Sequence, residues 1–282
     1  MPRPQFLRTH SQSNWSNQSS RISCGQTLGG PFEHACIVAH HVVNDSNNAR
    51  AYDANMPDIT HHSNGLHPDY RIRLMEPGDM QAIIEICTLV YPHDVPYTPQ
   101  ELAEHHLVFS QGQFVAQHIP TGEVAGAHFT LRLNMIDFHL DDSWDILTAH
   151  GTFDDHNPKG HSLYCADIMV HPRHQHHSVA RALTDITREL VRNEKLWRSV
   201  AGSRLPGYSQ HKDALNPDQY VDAVERGELV DPVLTVHLKD GWEVVRPIHG
   251  YLPHDEESAG WSALIQWVNP ACPPPPEFQL RK

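Results

Sequence analysis

The run Ser162-Leu-Tyr-Cys-Ala-Asp-Ile-Met-Val170 constrains the fold more than any other feature of the chain. A nearly continuous apolar segment of strand length describes a strand covered on both faces, as in the middle of a sheet flanked by helices. Through His171-Pro172-Arg173-His174 it leads into a helix whose apolar face is Val179, Leu183, Ile186 and Leu190. Asp185 to Arg188 and Glu189 to Arg192 form i, i+3 ion pairs on the outer side of that helix. A buried strand feeding an amphipathic helix places the chain in the α/β (α+β) class.

The flanking periodicity extends this pattern in both directions. Tyr70–Leu74 alternates as a strand, and Met80, Ile83, Ile84 and Cys87 mark a helix opened by Asp79. Thr98-Pro-Gln-Glu101 is a capping box for a second helix reaching about Leu107. Gln113–His118 and Glu123–Leu133 read as a hairpin around Pro120-Thr-Gly122. The polar stretch 137–161 is a long loop. Beyond the central helix, Trp197–Ser203 is a strand, Pro217–Glu225 a helix stopping at Gly227, and Val233–Leu238 and Trp261–Trp267 two late strands.

Residues 1–68 are rich in His, Ser and Asn and are expected to form a disordered arm. Residues 271–282 are Pro-rich, so folded structure is expected over 69–270. The chain carries 21 Lys and Arg against 34 Asp and Glu, a formal charge of −13. Such a field repels phosphate backbones and anionic membranes, so neither nucleic acid nor membrane is expected as a partner. No stretch approaches the ~20 apolar residues of a membrane span, and Met1-Pro-Arg-Pro-Gln-Phe-Leu-Arg8 lacks the core of a secretory signal. A cytoplasmic location is expected. The five cysteines include no CxxC pair and read as reduced thiols.

The strand-to-helix junction is where chemistry is expected. A helix entered from a buried strand presents unpaired N–H groups and the positive end of its dipole, an attractive place for phosphate. Gln175, Ala180 and Arg181-Ala-Leu183 resemble the [QR]-x-x-G-x-[GA] signature of the GNAT superfamily of N-acetyltransferases, with Ser178 in place of the central glycine. The element order over about 200 residues is similar to GNAT topology. Ser143-Trp-Asp145, Leu163-Tyr164, Ala201–Tyr208, Tyr220-Val221, Asp231–Thr235 and Tyr251–Ser258 resemble the acetyltransferase half of bacterial GNAT/carbon-nitrogen hydrolase fusion proteins. None of the hydrolase chemistry is carried over.

The resemblance implies a mixed, mostly antiparallel sheet with splayed central parallel strands and acetyl-CoA as co-substrate. It implies that the pantetheine arm lies on Ile168, Met169 and Val170, and the diphosphate on Gln175, His176, His177, Ser178, Val179, Ala180 and Arg181. Asp167, desolvated in its strand, is the expected base or, equally, a structural carboxylate. Tyr208 is the expected acid for the leaving thiolate or a packing residue. The implied acceptor is a small-molecule amine or a protein amino group. A degenerate GNAT domain acting as a CoA-binding or protein-interaction module without catalysis is the alternative. His171, His174, His176 and His177 also admit a metal-binding protein, but the 24 histidines are spread along the chain and solvated side chains are preferred, so no metal is assigned. Partly protonated, His176 and His177 would help hold phosphate.

Overall fold

A computed structural model describes residues 65–92 and 95–279. The arm assigned to residues 1–68 therefore lies, as far as residue 64, outside the described residues.

Seven strands make one sheet in the order β1-β2-β3-β4-β5-β7-β6. β1 (Tyr70–Leu74), β2 (Gln113–His118), β3 (Val124–Leu133) and β4 (Ser162–Val170) run antiparallel to their neighbours. β5 (Arg198–Arg204) is parallel to β4, and β7 (Trp261–Val268) joins it antiparallel to the edge strand β6 (Glu243–His249). The arrangement is mixed and mostly antiparallel, as expected.

Two helices cover one face and a third covers the other. α1 (Met80–Val90) and α2 (Pro99–Phe109) set Ile83, Ile86 and Leu102 against Val115, Ala127 and Phe129. The capping box opens α2 as the sequence predicts: the Glu101 N–H donates to Thr98 Oγ1, and the Thr98 N–H donates to Glu101 Oε2 at 2.7 Å. A one-turn helix, α3 (Trp144–Leu147), interrupts the long loop. On the opposite face α4 (Val179–Asn193) buries Val179, Leu183, Ile186 and Leu190 against Ile72, Phe114 and Leu163. Each such side chain contributes about 1.5–3 kcal/mol. α5 (Pro217–Glu225) and α6 (Leu234–Lys239) pack with Leu205, Tyr208 and Ile265 in a third cluster.

Four expectations change. Where a strand is expected over residues 233–238, the chain forms the helix α6, Leu234–Lys239. Val233, Thr235 and Val236 suggest β structure by alternation and branching, but the buried Asp231 overrides that preference. Its Oδ1 accepts the N–H groups of Val233 and Leu234, both at 2.9 Å, and so holds the first turn. The late strand beside β7 is instead β6, whose Pro247 cannot donate to a ladder and suits an edge. Arg188 does not face outward. It is 8% exposed and reaches Asp240 Oδ2 at 2.9 Å, because α6 and the residues after it cover that side of α4. Packing also continues past residue 270: in α7 (Pro276–Gln279), Phe278 lies 4.5 Å from Trp197 between ring centroids.

Asp231 Oδ2 further accepts from the Gly207 N–H at 3.1 Å and the Tyr220 hydroxyl at 2.8 Å. Asp231→Ala strands four donors at once, two of them buried, so the unfolding free energy should fall by at least about 2 kcal/mol, measured as a lowered denaturant midpoint.

Candidate active site

The site originates where two strands part. β4 and β5 pair only at Ser162–Arg198, Leu163–Ser199 and Tyr164–Val200. β5 stays in register with β7 along its whole length, and β4 stays with β3. On β4 the register shifts by one residue: Cys165 faces Thr130 and Asp167 faces Phe129, so Ala166 has no opposite number. A bulge of this kind bends its strand and re-aims the side chains beyond it. Strict alternation would put Asp167 on the same face as Leu163 and Cys165. The bulge moves it to the α1/α2 face.

There two tyrosines hold the carboxylate. The Tyr91 hydroxyl donates to Asp167 Oδ1 at 2.9 Å, and the Tyr97 hydroxyl donates to Oδ2 at 3.2 Å. Tyr91 ends α1, with its N–H on the Cys87 carbonyl. Tyr97 precedes the α2 cap, and its ring is fixed edge-on by His105 and Phe129 at 5.6 and 5.4 Å. Burial, then the adjacent Asp167 carboxylate, pushes both phenols well above the ordinary tyrosine range. Both remain neutral donors at physiological pH.

The opening between the strands is lined by aromatics. Tyr251 lies so close over Gly202 of β5 that a Cβ there would overlap its ring, and its hydroxyl bonds the Tyr164 hydroxyl on β4. Trp144 of α3 donates its backbone N–H to the Tyr251 carbonyl and its indole N–H to the Ala166 carbonyl, at 3.1 and 2.9 Å. The Tyr91 hydroxyl also approaches the Ile168 carbonyl at 3.3 Å. Ile168, Met169 and Val170 pair with His128, Ala127 and Gly126 on β3, and among the described residues no strand pairs with their other edge.

At the end of β4 the chain turns through Pro172–His174 into α4. His171 Nδ1 accepts the Arg173 N–H at 3.0 Å, and the His174 ring bonds the Tyr70 hydroxyl at 2.9 Å. Gln175, His176, His177 and Ser178 are exposed, and Val179 beneath them is buried. No described residue accepts from the backbone N–H groups of residues 175–181. His176 and Ser178 both adopt left-handed backbone, at φ 67° and 61°. Ser178 takes the conformation that makes glycine the usual residue at this position of the signature.

The structure thus brings Asp167 and residues 168–170 to the parted edge, with 175–181 at its end. It places Tyr208 apart from the tyrosine pair. Tyr208 is buried in the third cluster with Cys165 of β4, and its hydroxyl donates to the Leu215 carbonyl at 3.2 Å. Sequence reasoning missed Tyr91, Tyr97, Trp144, Tyr164 and Tyr251 as site residues. Trp144, Tyr164 and Tyr251 fall in blocks that carry the family resemblance, whereas Tyr91-Pro92 and Pro96-Tyr97 gave only a proline-rich signal between two helices. Among the described residues no three His, Cys, Asp or Glu side chains converge as a metal site, and no helix is long and apolar enough to cross a membrane.

This architecture, with its parted central strands, is the GNAT fold. In sequence, the chain is similar to the probable hydrolase YhcX of Bacillus subtilis (strain 168), at 30% identity over 198 residues. That match covers 70% of this chain but only 38% of YhcX. It is similar also to the uncharacterized N-acetyltransferase YkwB of the same organism, at 29% identity, covering 64% of this chain and 78% of that one. Among solved structures, the GphF GNAT-like decarboxylase in complex with isobutyryl-CoA superimposes with a TM-score of 0.56 at 22% identity. It covers 70% of this chain and 98% of GphF. No family model matches the chain.

Left-handed backbone costs an L-residue about 1–2 kcal/mol, part of which a glycine returns through its freer unfolded chain. Ser178→Gly should therefore raise stability by up to about 1 kcal/mol, read by denaturant titration. A loss of stability would show that contacts of the serine itself hold this turn.

Proposed function

We propose that the chain is an acetyl-CoA-dependent N-acetyltransferase, acting in the cytoplasm, that moves an acyl group to a primary amine of a small molecule or a protein by direct attack. One observation carries this reading: a single strand bears an edge freed beyond Tyr164, the carboxylate of Asp167, and at its end a solvent-open turn of unpaired N–H groups. Ile168, Met169 and Val170 offer main-chain partners to the pantetheine arm. Gln175, His176, His177, Ser178, Val179, Ala180 and Arg181 offer N–H groups to the diphosphate, favoured by the α4 dipole. The acyl-CoA complex named for GphF and the likeness to YkwB support the same cofactor and reaction class.

Asp167 takes the proton of the acceptor ammonium. The freed nitrogen bonds the thioester carbon as the carbon–sulfur bond breaks, Tyr208 gives a proton to the leaving thiolate, and the second proton that the nitrogen sheds on becoming an amide restores the phenol through solvent. For that step Tyr208 exchanges its bond to the Leu215 carbonyl. Burial raises its phenol above the ordinary range, so the proton is present at neutrality. Tyr91 and Tyr97 orient the carboxylate. A carboxylate at this position attracts a cationic amine and repels an acyl group that itself carries a carboxylate. Amine acylation is therefore favoured over the decarboxylation named for GphF.

A second reading, a cofactor-binding module without turnover, draws on the two phenols that already occupy the Asp167 oxygens and on Ser178 in place of glycine. Acetyl-CoA at about 100 times its Kd should stabilise either protein by about 2.7 kcal/mol, seen as a raised Tm. Asp167→Asn should keep that shift while acyl transfer across an amine panel falls about 10²–10⁴-fold. A shift without transfer by the unaltered protein leaves the module, and no shift removes both readings.

A further inference from the structure

The turn that opens α4 rests on a cluster of imidazoles. His174, 8% exposed, bonds the Tyr70 hydroxyl, and its ring lies 5.2 Å from His118 and 5.6 Å from His171. His177 stacks on Tyr70 at 5.5 Å and meets His67 edge-on at 5.6 Å. Four histidines, His67, His118, His174 and His177, therefore surround Tyr70 immediately beside residues 175–178, and a fifth, His171, packs against His174.

Fixed positive charge at this place is sparse and already matched. Arg173 lies 4.0 Å from Glu123, and Arg181 lies 3.8 Å from Asp240. The other charged groups facing the cluster are acidic: Glu123 Oε2 stands 3.8 Å from His174 Nε2, and Asp69 stands 3.5 Å from His67. A chain of net charge −13 must nevertheless hold a polyphosphate ligand here if the cofactor reading is right. The groups beside the turn able to gain positive charge are the imidazoles.

Resting on that reading, we propose that the cluster of His67, His118, His171, His174 and His177 makes binding of the cofactor's phosphates proton-linked, the imidazoles taking up protons as the anion docks. Without the anion, burial first and then the neighbouring His118 and His171 hold His174 below the ordinary histidine range, against the opposing pull of Glu123. A phosphate next to the cluster reverses that balance, because it stabilises each imidazolium it faces. The sign follows directly. The bound state carries the higher imidazole pKa, so affinity is greatest at low pH and falls as pH rises through the histidine range. An imidazole raised by one unit on binding weakens Kd about tenfold across that window.

The test is titration calorimetry of the whole chain with CoA at about pH 6 and about pH 8, in buffers of different ionisation enthalpy. The expected result is binding about tenfold tighter at the lower pH, with net proton uptake. His118→Gln/His177→Gln, which spares the buried His174–Tyr70 bond, should flatten most of this dependence. The second ionisation of a phosphate monoester, near pH 6, works in the opposite sense. It is common to both proteins, so their difference isolates the cluster. An unchanged slope in the double variant overturns the proposal and leaves the cofactor reading standing. Absence of CoA binding at either pH overturns both.

Discussion

Three registered residue pairs join the two halves of the sheet, and the site depends on their being only three. β1 to β4 form one antiparallel unit and β5, β7 and β6 another. Had β4 and β5 stayed paired to their ends, residues 165–170 would have spent their main-chain groups on a neighbour. The bulge at Ala166 bends β4 away, and Tyr251, seated on Gly202, occupies space that a continued ladder would need. The open edge is not left bare. Trp144 and Tyr91 supply donors to the carbonyls of Ala166 and Ile168, so part of that main chain is satisfied by side chains.

The same bulge decides the electrostatics. It carries Asp167 to the α1/α2 face, where the ends of those helices deliver Tyr91 and Tyr97. Phenols are well suited to hold a half-buried carboxylate, because they donate without adding charge and burial keeps them protonated. Asp167 accepts from two phenols, one of them packed edge-on against Phe129.

What could be read from the sequence were the features governed by local chemistry. The capping box of α2, the apolar faces of α1 and α4 and the doubly buried β4 each depend on residues within a few positions of one another, and each forms as expected. Features set by distant residues were lost. The Asp231 carboxylate turns a strand-like run into α6, and α6 in turn buries the Arg188 that looked like a surface ion-pair partner. The face on which Asp167 stands depends on one unpaired alanine, which no periodicity announces. Tyr91 and Tyr97 lie about seventy residues from the carboxylate they hold, and only the packing of two helices onto β3 and β4 brings them to it.

The turn into α4 takes left-handed backbone without the glycine of the signature it resembles. Left-handed backbone at His176 and Ser178 is intrinsically unfavourable, so the surroundings must impose it. The constraints come from both sides. His171 caps the turn through the Arg173 N–H, His174 is pinned to Tyr70 of β1, and Val179 is driven into the core at the start of α4. With the entry and exit of the turn fixed by burial, residues 175–178 have one short path between them, and a serine follows it at a tolerable cost. His171 and His174 thus hold the turn from the β4 side, while Val179 holds it from the α4 side.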